Sequence, residues 1–171
     1  MTVLPDWMIR AAALQGMISP FREEQLNPAS YDLLLGDELL IESAEGPELK
    51  RYPLADHDER RPYLLVPGQF VLAHTQETFA LPDWVSAQFL LKSSRAREGL
   101  QHLLAGWCDP GWHGSVLTLE LKNVRQLQPV RLWPGMKIGQ MVFHQMAAAP
   151  DRSYAKTGRY NGDSRVAGSR G

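Results

Sequence analysis

The chain has 171 residues, 44% hydrophobic and 22% charged, a balance that suits one folded globular domain and excludes a disordered chain. Eighteen Lys and Arg stand against nineteen Asp and Glu, and a net charge of −1 gives no global attraction to nucleic acid or to an anionic membrane. A single cysteine rules out an internal disulfide framework and a multi-cysteine metal site, and no apolar run approaches the roughly 18 residues of a membrane span. The opening MTVLPDWMIR lacks the charged-then-apolar order of a secretory signal, so a soluble, cytoplasmic protein is the expectation.

In chain order, a short helix is predicted first. Asp6 is its N-cap, Ile9, Ala12 and Ala13 follow at helical spacing, and Gly16 fits the position after the C-cap. Residues 17–30 read as loop. From residue 31 the pattern turns to strands, in DLLLGDELLIE, YLLVPGQFVLAHT, VSAQFLLKSS, SVLTLELKN, PVRLW and KIGQMVFHQ, each bounded by Gly, Pro, Asn or Asp. Turn signals recur about every ten residues, the spacing of an antiparallel sandwich or barrel. Only two short helical candidates interrupt them, at Pro82–Val85 and Ser94–Glu98. The β domain is expected to end near residue 150. Residues 151–171 then hold five basic and two acidic residues with four Gly, and read as a flexible arm suited to closing over a phosphorylated ligand.

The first chemistry to test is zinc-dependent deamination. His57-Asp58-Glu59 matches the H-x-E half of a zinc deaminase, but Cys108 alone cannot supply the P-C-x-x-C half, so that match reads as a solvated loop. The five histidines (57, 74, 102, 113 and 144) are scattered and read as surface or packing residues. KSSRAREGL (Lys92–Leu100) gathers cations and hydroxyls fit for a phosphate, and equally fits a surface helix start with a serine cap. In AGWCDPGWHG (Ala105–Gly114), Asp109-Pro110-Gly111 makes a tight turn that also sets a carboxylate where it can hold a sugar hydroxyl. In LTLELKN, Leu117, Leu119 and Leu121 share one strand face, and Thr118, Glu120 and Lys122 share the other. That second face is either solvated or a pocket wall, where burial would move an acid toward the range of a general base.

In this order, PASYDLLLG (Pro28–Gly36), KSSRAREGL, AGWCDPGWHG, LTLELKN, WPGMKIGQMVF (Trp133–Phe143) and a tail with Tyr154, GRYNG and SRG resemble the dCTP deaminase branch of the trimeric dUTPase superfamily. The likeness spans nearly the whole chain. It implies a mainly β fold, a distorted barrel or jelly-roll of the dUTPase type with a short N-terminal helix, assembled as a homotrimer with active sites between subunits. It further implies a dCTP substrate carrying Mg²⁺ on its phosphates, a deamination without zinc, and no nucleic-acid or membrane partner. Matched motif by motif, Glu120 is the general acid/base, Ser93 and Arg97 complete the site, and the Ala105 carbonyl helps place the water. Lys92 and Ser94 line the triphosphate, Asp109 the deoxyribose, and Thr118 and Leu119 the substrate. Tyr154, Arg159 and Asp163 belong to the tail that folds over it. Glu120 is expected to be buried in contact with Arg97 or Ser93.

The chain also departs from the family pattern. Lys92 and Leu34 stand where Arg is usual, Leu104 where Thr is, and Asp163 where Gln is, which sets a carboxylate near phosphates. The span from Gly99 to Ala105 is one residue shorter than the pattern, and that from Asp109 to Glu120 one longer, which predicts a β-bulge before Glu120. The first functional reading is deamination of dCTP to dUTP and ammonia. The alternative is a bifunctional deaminase and diphosphatase giving dUMP, which the Ala105-Gly106-Trp107 run resembles; a deaminase of a modified dCTP and a catalytically silent nucleotide-binding regulator complete the set.

Overall fold

The computed structural model describes residues 2–171. A two-residue strand, β1 (Thr2–Val3), leads into helix α1 (Asp6–Leu14), whose buried face is Ile9, Ala12 and Ala13, as the spacing predicts. The cap differs from expectation. The first helical hydrogen bonds run from Met8 N and Ile9 N to Pro5 O, both 3.0 Å, so Pro5 is the N-cap. Asp6 falls in the first turn, where its charge complements the helix dipole. Residues 17–30 are also more ordered than a loop. They hold β2 (Ile18–Ser19), one 3₁₀ turn (Glu23–Gln25) and β3 (Leu26–Asn27), each too short to show a period.

The strands that follow are β4 (Ser30–Leu34), β5 (Glu38–Ser43), β6 (Gly46–Pro53), β7 (Tyr63–Leu65), β8 (Phe70–Ala80) and β9 (Val85–Leu91). Helix α2 (Ser93–Arg97) precedes β10 (Leu100–His102), β11 (Trp107–Cys108), β12 (His113–Asn123), β13 (Val130–Leu132) and β14 (Lys137–Gln145), and α3 (Tyr154–Thr157) lies in the arm. All pairings are antiparallel. One sheet runs β11–β9–β14–β4–β3 with β1 added on β14, the other β10–β12–β8–β5–β6 with β2 added on β8, and β7 pairs with β13. Their inner faces share one core, with Leu33, Phe89, Met141 and Phe143 from the first sheet and Val71, Ala73, Leu119 and Leu121 from the second. The sheets are mainly β and do not close into a continuous barrel.

Two features position the site. The β12–β8 register slips twice: between His113 and Ser115 the extra residue is on β12, before Glu120, and between Val116 and Thr118 the extra residues are on β8. Beyond the slips, Leu117, Leu119 and Leu121 are buried while Thr118 and Glu120 are half-buried and Lys122 is exposed. The arm packs back along β12. Val116 N donates to Asp163 O at 2.8 Å, Trp112 Nε1 and Ser115 Oγ both donate to Tyr160 O, and Ala167 N reaches Thr118 Oγ1. Val166 is fully buried against Leu40 and Leu72, a small apolar cluster separate from the main core.

Candidate active site

β12, the hairpin after Ala105 and the returning arm enclose a cleft of about 590 Å³. Its walls are apolar at Leu49, Phe70, Leu72, Trp107 and Trp112, and its polar groups come from Asp109, Thr118, Glu120, Tyr154, Tyr160 and Asp163. An apolar cleft with a few convergent polar groups is the usual form of a small-molecule site. Of the residues assigned by motif, the fold brings together Ala105, Asp109, Thr118, Glu120, Tyr154 and Asp163.

The hairpin is held from both sides. Trp112 N donates to Asp109 O across a turn whose third residue, Gly111, has φ +86, a region glycine enters without cost. Asp109 Oδ1 accepts from Trp107 Nε1 at 3.1 Å. On the arm side, Tyr154 N donates to Pro110 O, and Ser153 both caps α3 and bonds Asp83 at 2.5 Å. Cys108 is buried beneath the turn. Burial first, and the neighbouring Asp109 charge second, push its thiol up to about 12, so it is inert as a nucleophile.

Glu120 is placed differently from the expectation. Its side chain is 26% exposed, and its neighbour within the chain is His102, whose Nε2 lies 3.0 Å from Oε2. Neither Ser93 nor Arg97 touches it. The reason is topological: α2 joins β9 of one sheet to β10 at the edge of the other, and none of its residues is buried. Ser93, Ser94 and Arg97 therefore stand exposed outside the cleft. Lys92, assigned to the triphosphate, is held by Asp32, with Nζ 2.6 Å from Oδ1; Lys137 binds the second oxygen at 2.9 Å. Burial alone would raise the Asp32 pKa, but hydrogen bonds from Lys92, Lys137 and Asn27 outweigh it and hold the carboxyl below its ordinary range.

Three further assignments change in detail. The Leu119 side chain lies wholly in the core, so only its backbone remains for a ligand. Arg159 is exposed outside the cleft, and its carbonyl accepts from Arg170. Asp163 pairs with Arg170, whose guanidinium lies 5.1 Å from the centre of the Tyr160 ring, so its charge is offset within the arm. The apolar walls and His102 escaped the sequence reading. The signal for His102 was local: in Leu100-Gln101-His102 the alternation turns the imidazole inward with Leu100. Among the described residues no group of three or more His, Cys, Asp or Glu is arranged to hold a metal, and no helix is long and apolar enough to cross a membrane.

Two antiparallel sheets over a shared core, with a cleft under a returning C-terminal arm, define a dUTPase-like fold. The crystal structure of 2′-deoxycytidine 5′-triphosphate deaminase from Agrobacterium tumefaciens superposes with a TM-score of 0.69 at 22% identity, covering 84% of this chain and 48% of that one. The native EIAV dUTPase superposes with a TM-score of 0.51 at 18% identity, over 80% of this chain and 89% of that one.

A family model described as dCTP deaminase-like matches residues 3–146, and the chain belongs to that family. A relative in Beutenbergia cavernae, named "dCTP deaminase, dUMP-forming", is 42% identical over 94% of this chain and 90% of its own length. Relatives of the same name in Acidothermus cellulolyticus and Methanopyrus kandleri are 39% and 38% identical, covering 94% and 96% of this chain and 90% and 93% of their own.

Proposed function

We propose that the chain is a dUMP-forming dCTP deaminase: dCTP and two waters give dUMP, ammonia and pyrophosphate. This is the alternative of the sequence reading, now placed ahead of deamination to dUTP alone. The observation that carries it is the near full-length match, at 38–42% identity, to relatives named for that reaction. The Ala105-Gly106-Trp107 run at the cleft supports it, and so does a carboxylate at Glu120 on an apolar wall.

Deamination adds water at carbon 4 of the cytosine ring and expels the amino group. One side chain must take a proton from the water and return it to the departing nitrogen. Glu120 is assigned that shuttle, with Asp109 on the deoxyribose and the Ala105 carbonyl orienting the water. Cleavage between the α- and β-phosphates then uses a second water, with magnesium entering on the nucleotide as part of the substrate. Because Ser93, Ser94 and Arg97 face away from the cleft of their own chain, the reading gives them to the cleft of a neighbouring copy in a cytoplasmic homotrimer. The exposed Leu104 and Trp107 beside the cleft fit such an interface. Tyr154, Arg159 and Asp163 serve as the arm that closes over the nucleotide.

The test is incubation with dCTP and Mg²⁺, with chromatography of the products. dUMP and pyrophosphate are expected. dUTP as the sole nucleotide product would return the single-activity reading, and no turnover of dCTP or dUTP would favour a silent nucleotide-binding regulator.

A further inference from the structure

The Glu120–His102 contact is unusual for a packing histidine. Glu120 Oε2 and His102 Nε2 are 3.0 Å apart, both atoms are buried, and neither has the alignment of a hydrogen bond with any partner. Buried polar atoms are nearly always paired, and each exception calls for a reason. An aliphatic or phenyl side chain would fill the same space without that cost.

The imidazole is held rigidly. It tilts over Phe89, ring centres 4.6 Å apart. Phe89 is in turn fixed by two glycines: a Cβ on Gly139 would lie 2.1 Å from its ring, and one on Gly106 2.8 Å from its carbonyl oxygen. Gly106 O also accepts from Phe89 N at 2.8 Å. The stack therefore runs from Gly139 through Phe89 and His102 to the carboxylate. The same contacts fix Gly106, the residue after Ala105.

We infer that His102 is a positioning residue for Glu120, an inference that rests on the function proposed above. In the substrate complex its Nε2–H donates to Glu120 Oε2 and leaves Oε1 to receive the proton of the attacking water. Catalytic hydrogen bonds that are poorly aligned without substrate commonly tighten when it binds. The histidine keeps its proton throughout; the proton that moves passes from water to Oε1 and on to the departing amine.

Three variants of the full chain, assayed with dCTP and Mg²⁺, test this. His102→Phe keeps the ring stack and removes the donor; the expectation is a kcat about 10²-fold lower, with KM within about threefold and an unchanged or higher melting midpoint. His102→Gln restores an N–H at similar reach and is expected within about tenfold of the wild-type kcat. Wild-type kcat in a folded His102→Phe variant would overturn the inference. If that variant does not fold, the glutamine variant decides, and a loss of about 10²-fold with an intact fold overturns it. Glu120→Gln, run alongside, separates the two claims. Deamination surviving that change defeats the role assigned to Glu120 and the inference with it. An inactive Glu120→Gln beside a fully active His102→Phe defeats only the role of the histidine, and absence of dCTP turnover by the wild type defeats the proposed function.

Discussion

β12 and α2 each carry three residues that the motifs assign to the site: Thr118, Leu119 and Glu120 on the strand, Ser93, Ser94 and Arg97 on the helix. Their surroundings differ completely. β12 is flanked by β8 and β10, covered by the arm, and its side chains alternate between core and cleft. α2 is five residues long, buries none of them, and offers its serines and Arg97 to the outside. A half-buried acid over an apolar floor and an exposed cluster of donors lie apart within one chain. On the function proposed above, the cleft of one copy and the α2 of another would together make each site.

The largest effects should separate the halves by kind. Glu120→Gln is expected to lower deamination by about 10³-fold while leaving the fold intact, measured as kcat together with the melting midpoint. Arg97→Ala, on the exposed half, should lower kcat/KM by about 10²-fold with no change in the stability of the isolated fold. A loss of stability that matched the loss of activity would place Arg97 in the architecture instead.

Asp32 sharpens the contrast from beneath the exposed half, because it anchors Lys92 at the base of α2. Asp32→Asn should destabilise the chain by about 2 kcal/mol, a buried-pair value discounted because both lysines are partly exposed. The sign with pH follows from its lowered pKa. Its contribution is present above the ordinary carboxylate value of 3.8 and is lost as pH falls through the folded value, so wild type and Asp32→Asn should converge in stability below that point in acid unfolding curves. A smaller effect concerns Leu104, which has φ +65 and a side chain 91% exposed. Leu104→Gly should keep or raise the stability of the isolated fold, by up to about 1 kcal/mol, read from the melting midpoint, because a left-handed backbone strains leucine and not glycine.

The parts of this arrangement differ in how plainly the sequence shows them. KIGQMVFHQ coincides with β14, because Ile138, Met141 and Phe143 enter the core while Gln140, Val142 and His144 are only half-buried. The bulge on β12 between His113 and Ser115 matches the one extra residue against the family spacing, whereas the irregularity on β8 opposite Leu117 left no such mark. β6 was not, since an edge strand reading GPELKRYP is exposed along nearly all its length and has no apolar period. Strands of two or three residues such as β10 and β11 are too short for a firm periodic signal, and the one alternation in Leu100-Gln101-His102 is all that marks the orientation of His102. The contacts of α2 are not legible for a deeper reason. Motif order places Ser93, Arg97 and Glu120 in one site, while sheet connectivity decides whether one chain can bring them together.

Mixing the two disabled variants tests the division most directly. Glu120→Gln and Arg97→Ala, each strongly impaired alone, are co-refolded in equal amounts and assayed with dCTP. If each cleft takes its α2 from another copy, random assembly pairs intact halves in about a quarter of sites and activity returns to about that fraction of wild type. Activity that stays at the level of the separate variants, in verified mixed oligomers, would contradict the shared site.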